Sequence, residues 1–184
     1  MHADHPADKI IESILPCCRY AQRLLQSEPE LRAELRQNMQ YPFLREEMQA
    51  FLNAGAHTAK DEAGLDSILR RLRKRVMLRL AARDLGGVAD LAEVVRSMTD
   101  LAEITIGLGL ERHHEWLADP GRYGQPRSAK NGSVQEMLVI AMGKLGGGEL
   151  NVSSDVDLIF VYPEDGETDG ARSISNHDFF ARLG

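Results

Sequence analysis

The sequence predicts an α+β protein in which a helical N-terminal segment precedes the first part of a domain with a small sheet. About 120 residues at the start repeat apolar side chains with helical periodicity and show almost no strand pattern. A stretch rich in Gly, Pro and Ser follows at 119–133. Two short apolar runs, 134–142 and 155–162, then have strand character. We therefore predict a helical segment over 1–121 and a second domain over 122–184.

Apolar periodicity and capping signals predict a series of helices in the first segment. The predicted ranges are 8–26, 27–37, 42–55, 65–85 and 89–117. Pro16 is a candidate kink in the first helix. Ser27 and Glu30 have the spacing of a capping box at the start of the second. Gly107 and Gly109 mark a candidate break in the last. A further amphipathic helix is expected from Ser175 to the end.

A row of arginines accompanies the apolar stripe of the helix predicted at 65–85. The apolar stripe consists of Leu65, Ile68, Leu69, Leu72, Val76 and Leu80. The arginines recur every four residues, at Arg71, Arg75, Arg79 and Arg83. The favoured interpretation is a solvated face whose aliphatic stems cover the edge of the core. An anion-binding or partner-binding ridge stays open as the second interpretation.

Composition and charge exclude several classes of function. The formal net charge of -6 gives no general argument for nucleic-acid binding. Cys17 and Cys18 are adjacent and seldom have the geometry to bridge to each other, so we expect reduced thiols and a cytoplasmic protein. No run approaches the roughly 20 apolar residues that span a bilayer. We predict neither a membrane nor a nucleic-acid partner.

Two carboxylates lie at the start of the second predicted strand. The surrounding stretch, MLVIAMGKLGGGELNVSSDVDLIFVY, covers 137–162. Alternate residues of a strand point to one face, so Asp155 and Asp157 are expected to project together. Divalent cations prefer such hard oxygen ligands, and Mg²⁺ usually keeps water or phosphate as further partners. Asp155 and Asp157 are therefore the predicted catalytic metal ligands, with Mg²⁺ as the cofactor.

The turn before these carboxylates is rich in glycine. Gly146 and Gly147 remove side chains there, which lets backbone N–H groups approach an anion. Lys144 is either an exposed turn residue or a phosphate contact. Ser154 caps the following turn or bonds a phosphate oxygen. These four residues form the predicted nucleotide and phosphate site.

Two common nucleotide-binding motifs do not explain the pattern. A Rossmann unit needs a crossover helix, but the next predicted strand begins too soon after the glycines to leave room for one. A Walker loop needs GK followed by Ser or Thr, whereas Lys144 precedes the glycines.

The segment GKLGGGELNVSSDVDLIFVY closely resembles the bifunctional glutamine synthetase adenylyltransferase/adenylyl-removing enzyme family. That family is part of the DNA polymerase β-like nucleotidyltransferase superfamily, whose pattern is a Gly-Gly or Gly-Ser turn followed by Asp-x-Asp on the next strand. Gly146 and Gly147 match the turn, and Asp155 and Asp157 match the metal-binding pair. The resemblance implies a polymerase β-like domain with a small mixed sheet.

The resemblance extends beyond the motif. It covers about 122–163, including RYG at 122–124, and the stretch RRLRKRVMLRLAARDL resembles the arginine-rich helix of the family. The superfamily has a third carboxylate on a later strand, which in this family lies beyond residue 184. We therefore expect a domain truncated at its C-terminus and a chain that is weakly active or inactive by itself.

The resemblance also implies a reaction. In the family, an N-terminal domain removes AMP from a tyrosine of glutamine synthetase and a C-terminal domain adds AMP from ATP. The chain begins with Met1 and places helices before the motif, so the resemblance favours the deadenylylating copy. Phosphate would attack adenylyl-tyrosine and release ADP. The implied partners are adenylylated glutamine synthetase, the PII signalling protein, nucleotide and phosphate. ATP-dependent adenylylation of a protein tyrosine and a non-catalytic regulatory binding module stay open as alternatives.

Overall fold

A computed structural model describes residues 6–56 and 59–184. The elements in chain order are α1 (Pro6–Ile14), α2 (Arg19–Ser27), α3 (Glu30–Asn38), α4 (Arg45–Ala56), α5 (Glu62–Leu85), α6 (Leu91–Leu117), β1 (Leu138–Ala141), α7 (Gly143–Gly146), β2 (Leu158–Val161) and α8 (Asn176–Leu183). This order confirms the predicted α+β class. None of the described helices combines the length and the apolar character needed to cross a bilayer.

The chain divides into two compact units. The first contains the residues up to Ile104 together with Gly148–Ser154, and the second contains Thr105–Gly147 with Asp155–Gly184. The predicted boundary between residues 121 and 122 differs from this division. Residues 105–121 group with the strands because Leu117 and Ala118, at the end of α6, pack against the core of the second unit.

The first predicted helix is two helices. The chain turns between Ile14 and Arg19, so the break at Pro16 is complete rather than a kink. Cys18 then caps α2, because its Sγ accepts a hydrogen bond from the Ala21 N–H at 3.4 Å. By contrast, α6 runs through Gly107 without interruption. Packing along a long helix evidently outweighs the modest cost of a glycine.

The predicted capping box at Ser27 is wrong. Ser27 is the last residue of α2, and its hydroxyl donates back to the Leu24 carbonyl at 3.1 Å. Helix α3 begins after Pro29, which makes no side-chain capping bond. A serine hydroxyl can bond to the backbone on either side of it, and here the preceding turn is chosen.

The longest predicted helix of the first unit, α5, is also its central packing element. It begins at Glu62, three residues before the predicted start, where Asp61 caps it by accepting the Gly64 N–H at 2.8 Å. It ends at Leu85, as predicted, and Gly86 follows. Leu78 and Ala82 join a core cluster with residues from α1, α2 and α3. Of the predicted apolar stripe, Leu65, Ile68, Leu72, Val76 and Leu80 are buried.

The arginine row of α5 passes from solvent into the protein interior. Arg71 is exposed, whereas the side chains of Arg75, Arg79 and Arg83 are 16%, 5% and 6% exposed. A helix has 3.6 residues per turn, so each step of four residues rotates the side chain by about 40°. The favoured interpretation of a solvated face is therefore wrong for Arg79 and Arg83.

The two buried arginines tie α5 to its neighbours. Arg79 donates two hydrogen bonds to the Glu47 carboxylate, each 2.8 Å long, and its guanidinium lies 4.1 Å from the centre of the Phe43 ring. Arg83 donates to Glu93 at 2.5 and 2.7 Å and to the Met39 carbonyl at 2.7 Å. Buried guanidinium groups need such paired acceptors, and both have them.

The sheet of the second unit is an antiparallel pair. Leu138 faces Val161 and Ala141 faces Leu158. The predicted strands, 134–142 and 155–162, are too long. Residues before β1 bond elsewhere, since the Gln135 N–H donates to the Pro126 carbonyl at 2.8 Å. Before β2, Asp157 still bonds to Met142, but among the described residues no strand lies opposite Asp155, because α7 begins just after β1.

The RYG segment at 122–124 forms a close backbone contact with a later loop. The Gly170 N–H donates to the Tyr123 carbonyl at 2.7 Å, and the Arg172 N–H donates to the Arg122 carbonyl at 2.8 Å. Gly124 has a φ of +73°, and a Cβ built on it would lie 2.2 Å from the Gly170 nitrogen. A Cβ on Gly170 would lie 2.2 Å from the Tyr123 carbonyl carbon. Both positions therefore require glycine.

A half-buried histidine packs against the core of the second unit. The His114 ring packs edge-on against Phe179, with ring centres 5.6 Å apart. Its buried Nε2 has no hydrogen-bond partner among the described residues. Burial lowers the pKa of His114, although the nearby carboxylates of Glu136 and Glu115 oppose that shift.

Replacing Arg79 by Ala is expected to lower the free energy of unfolding by about 2 kcal/mol, because the substitution removes its two hydrogen bonds to Glu47 and the buried guanidinium that packs on the Phe43 ring. Chemical denaturation measures this loss. Arg70→Ala is the matched control on the same helix: its ion pair with Asp66 is exposed, so its loss is expected to stay below about 1 kcal/mol. Equal losses of unfolding free energy for both variants would contradict a stabilising role for the contacts of Arg79 with Glu47 and Phe43.

Acid is expected to destabilise the second unit through His114. Its pKa is lower in the folded state than in the unfolded state. As the pH is lowered below about 6.5, the unfolded state takes up the proton first, and the free energy of unfolding decreases. Above that pH both states are neutral and this contribution is absent. His114→Phe keeps an aromatic ring against Phe179 and should weaken the pH dependence of the thermal midpoint. An unchanged pH dependence in the variant would refute the assignment.

Candidate functional site

The stretch 137–162 folds as a strand, a short helix, a loop and a second strand. Beyond the last ladder pair, the Met142 N–H donates to the Asp157 carbonyl at 2.9 Å. Helix α7 starts at the next residue, Gly143. The end of the ladder thus brings Asp157 beside the start of the glycine-rich turn.

Both predicted metal ligands lie just before β2 rather than within it. This corrects the expectation that a regular strand projects them to one face: only Asp157 continues the ladder, while Asp155 has no strand opposite it. The chain turns into α7 where a longer partner strand would have been. The carboxylates are nevertheless separated by a single residue in a non-helical segment.

The two carboxylates are chemically suited to a divalent cation. Asp155 and Asp157 are exposed, and in the part of the chain that the structure describes neither side chain has a hydrogen bond or an ion pair. Among the same residues, no group of three or more His, Cys, Asp or Glu side chains is arranged for a metal. Two unpaired carboxylates suit Mg²⁺, which commonly uses one or two protein carboxylates and completes its coordination with water and phosphate.

The glycines of the turn have a packing role, and their N–H groups are not free to approach an anion as predicted. The Gly146 N–H donates to the Met142 carbonyl at 3.1 Å, and the Gly147 N–H donates to the Gly143 carbonyl at 3.0 Å. These N–H groups are therefore engaged within the turn. A Cβ on Gly146 would lie only 2.3 Å from the Ala141 carbonyl oxygen. A contact of either glycine with a nucleotide would thus use its bare Cα surface.

Lys144 and the glycines share one short helix. Lys144 is exposed on α7, and its neighbour Leu145 is buried. Gly146 and Gly147 are exposed on the same turn. An exposed lysine beside bare backbone is a reasonable environment for a phosphate group.

Ser154 lies at the end of the loop that belongs to the first unit. Its hydroxyl donates to the Asn151 Oδ1 at 2.8 Å, and the same oxygen accepts the Ser153 N–H at 3.1 Å. The Leu150 N–H donates to the buried Thr99 hydroxyl at 3.3 Å, which ties the loop to α6. Sequence reasoning missed Asn151 and Thr99. Asn before two serines is a local turn signal that identifies Asn151, but the contact with Thr99 is long-range.

Replacing Gly146 by Ala is expected to destabilise the second unit by about 2 kcal/mol, because the new methyl group would collide with the Ala141 carbonyl. Gly147→Ala is the matched control. Its Cβ would lie 3.5 Å from the nearest neighbouring atom, an ordinary contact, so its stability should stay close to the original. Thermal unfolding followed by circular dichroism compares them, and an equal response would contradict this packing role.

Comparison with known proteins covers nearly the whole chain. The family model described as glutamate-ammonia ligase adenylyltransferase (GlnE) matches residues 9–184. A bifunctional glutamine synthetase adenylyltransferase/adenylyl-removing enzyme from Nitrosomonas eutropha is 57% identical over 178 residues, which is 97% of this chain and 19% of that protein. The enzyme of the same name from Nitrosomonas europaea is 59% identical over 97% of this chain and 19% of its own length.

A third relative, from Chromobacterium violaceum, has the same name and is 49% identical over 90% of this chain and 18% of its own length. The chain thus spans about one fifth of the length of these curated relatives. The matched residues include the helical unit as well as the motif at 137–162. The chain therefore belongs to the glutamate-ammonia ligase adenylyltransferase family.

Proposed function

We propose that this chain supplies part of the catalytic site that removes AMP from an adenylylated tyrosine of glutamine synthetase, by Mg²⁺-dependent phosphorolysis that gives ADP. One observation carries the proposal: in a chain of this family, Asp155 and Asp157 are exposed, unpaired within the described residues and located where the β1–β2 ladder ends beside a lysine-bearing glycine turn.

The relatives' names support the general reaction class and leave the direction open. They are called adenylyltransferase/adenylyl-removing enzymes, so both addition and removal of AMP belong to the longer proteins. We favour removal because a helical unit precedes the motif, the arrangement that the resemblance associates with the deadenylylating copy. Glutamine synthetase is the proposed protein substrate because the relatives' names contain it.

The reaction asks little covalent chemistry of the protein. A phosphate oxygen forms a bond to the AMP phosphorus, the bond from that phosphorus to the tyrosine oxygen breaks, and the tyrosine oxygen takes up a proton. Asp155 and Asp157 would hold Mg²⁺, which when bound neutralises charge on the transferring group. Lys144 would add positive charge beside the phosphate. No nucleophilic side chain is needed, because phosphate itself attacks.

The other expectations enter as parts of this proposal. Nucleotide and phosphate would contact Lys144, Gly146, Gly147 and Ser154. The PII signalling protein would be a regulatory partner, and the protein would act in the cytoplasm without a nucleic-acid partner. Because the resemblance implies a third carboxylate outside this sequence, the chain alone would be weakly active or inactive.

Activity should be tested in a chimera in which this chain replaces the matching stretch of the Nitrosomonas eutropha relative. With adenylylated glutamine synthetase, Mg²⁺ and phosphate, the chimera should release ADP. Asp155→Asn and Asp157→Asn should each reduce the rate at least about a hundredfold, since both carboxylates would act on the charge of the transition state. Glu149→Gln, an exposed carboxylate nearby in the sequence, is the control and should keep most of the activity.

The products separate the alternatives. Pyrophosphate released from ATP in an Asp155-dependent reaction, with no ADP formed from the adenylylated substrate, would assign the chain to adenylylation. If both Asn variants keep full activity while the chimera still binds glutamine synthetase, the pair is structural and the chain acts as a binding module.

A further inference from the structure

The two strands of the sheet carry apolar side chains on both faces. β1 consists of Leu138–Ala141 and β2 of Leu158–Val161, and neither contains a polar residue. A sheet with one face in water normally alternates apolar and polar side chains, whereas a continuous apolar run is typical of strands covered on both faces. The sequence of this sheet is therefore suited to a position between two layers.

One face of the sheet is partly covered by α8, although Phe160 on that face is still 43% exposed. Residues paired directly across an antiparallel ladder share a face, so Phe160 lies with Val139. Extension of this register by one pair beyond Leu138 and Val161 places Met137 and Tyr162 on that same face. Met137 is buried with Phe180 of α8, and the Tyr162 ring stacks on the Phe180 ring at a centre-to-centre distance of 4.8 Å.

The opposite face is bare. Its members are Leu138, Ile140, Ile159 and Val161, which form two directly paired sets. Their exposed fractions are 62%, 46%, 46% and 40%. A contiguous apolar surface made of paired strand residues is unusual on a protein surface and marks a site of interaction. We call these four residues the open face.

The open face leads to the candidate metal ligands. Met142 follows Ile140 in the alternation and is 44% exposed, and its N–H donates to the Asp157 carbonyl. This bond continues the ladder, so Asp157 follows Ile159 on the same side. Anything that covers the open face would end beside a candidate metal ligand.

We propose that the open face is the docking surface for an apolar layer supplied by another segment of the longer family chain, outside the stretch matched here. The matched stretch is only 19% of the Nitrosomonas eutropha relative, so ample chain exists to supply that layer. Apolar sheets are stable only when each apolar face is packed against another element. The proposal rests on family membership and not on the proposed reaction.

A second copy of this chain is a poorer occupant. The open face and Met142 offer five side chains, whereas stable interfaces between separate proteins use roughly 20–30 residues on each side. A segment of the same chain needs no such area, because tethering raises its effective concentration.

Cysteine accessibility tests the proposal. In a background with Cys17→Ser and Cys18→Ser, the variant Ile140→Cys is labelled with a maleimide in the isolated chain and in the Nitrosomonas eutropha chimera. Labelling of the folded protein should be at least about tenfold slower in the chimera. Leu91→Cys, at a position on α6 that is 75% exposed, is the control and should be labelled at the same rate in both proteins.

Equal labelling of Ile140→Cys in both proteins would overturn the docking proposal. Equal slowing at Ile140→Cys and Leu91→Cys would also overturn it, because it would indicate general shielding. If the isolated chain forms a dimer on gel filtration and its labelling at position 140 falls as far as in the chimera, the occupant is a second copy and the proposal fails.

A stability measurement gives an independent test. Ile159→Asn should lower the thermal midpoint of the chimera clearly more than that of the isolated chain, because the side chain becomes buried only when the layer is present. An equal shift in both proteins would contradict the docking proposal. Neither measurement uses catalytic activity, so failure of the proposed reaction would leave both results interpretable.

Discussion

The pairing of β1 with β2 is the constraint on which the second unit depends. Its register aligns Ala141 with Leu158, and the same register then brings Met142 to Asp157. A slip by one residue would turn every side chain of one strand to the opposite face, removing Tyr162 from its stacking with α8 and moving Asp157 away from the turn. The aromatic core therefore secures the register, and through it the position of the candidate chemistry.

The first unit depends instead on two buried guanidinium groups of α5. Arg79 and Arg83 are nearly covered, and each has a carboxylate positioned to receive it. Breaking the Arg83–Glu93 pair would leave an uncompensated charge in the interior, whereas Glu47, the partner of Arg79, is 46% exposed. The two contacts join α5 to α4 through Glu47 and to the start of α6 through Glu93. The exposed arginines earlier in the row lack this role, although they belong to the same sequence repeat.

Local patterns predicted the features that local forces decide. The end of α5 at Leu85 and the terminal helix after Ser175 follow from periodicity and capping, whereas the start of α5 was predicted three residues too late. The direction of the Ser27 hydroxyl was not predictable, since both neighbouring turns offer it a partner. Strand ends and the burial of Arg79 depend on segments distant in sequence, and so does the Thr99 contact that holds the loop before Ser154. Spacing predicted that Asp155 and Asp157 project together from a strand. It did not predict the turn into α7, which leaves Asp155 without a strand opposite it among the described residues.

The close contact between Gly124 and Gly170 constrains how this family can change over time. A side chain on Gly124 would collide with the backbone of Gly170, and a side chain on Gly170 would collide with the backbone of Tyr123 and Gly124. Because each collision is with backbone, no smaller residue at the other position could relieve it. Pairs that cannot compensate for each other leave no trace of co-variation in a set of related sequences, even though they touch. A map of contacts inferred from correlated substitutions would therefore omit this junction.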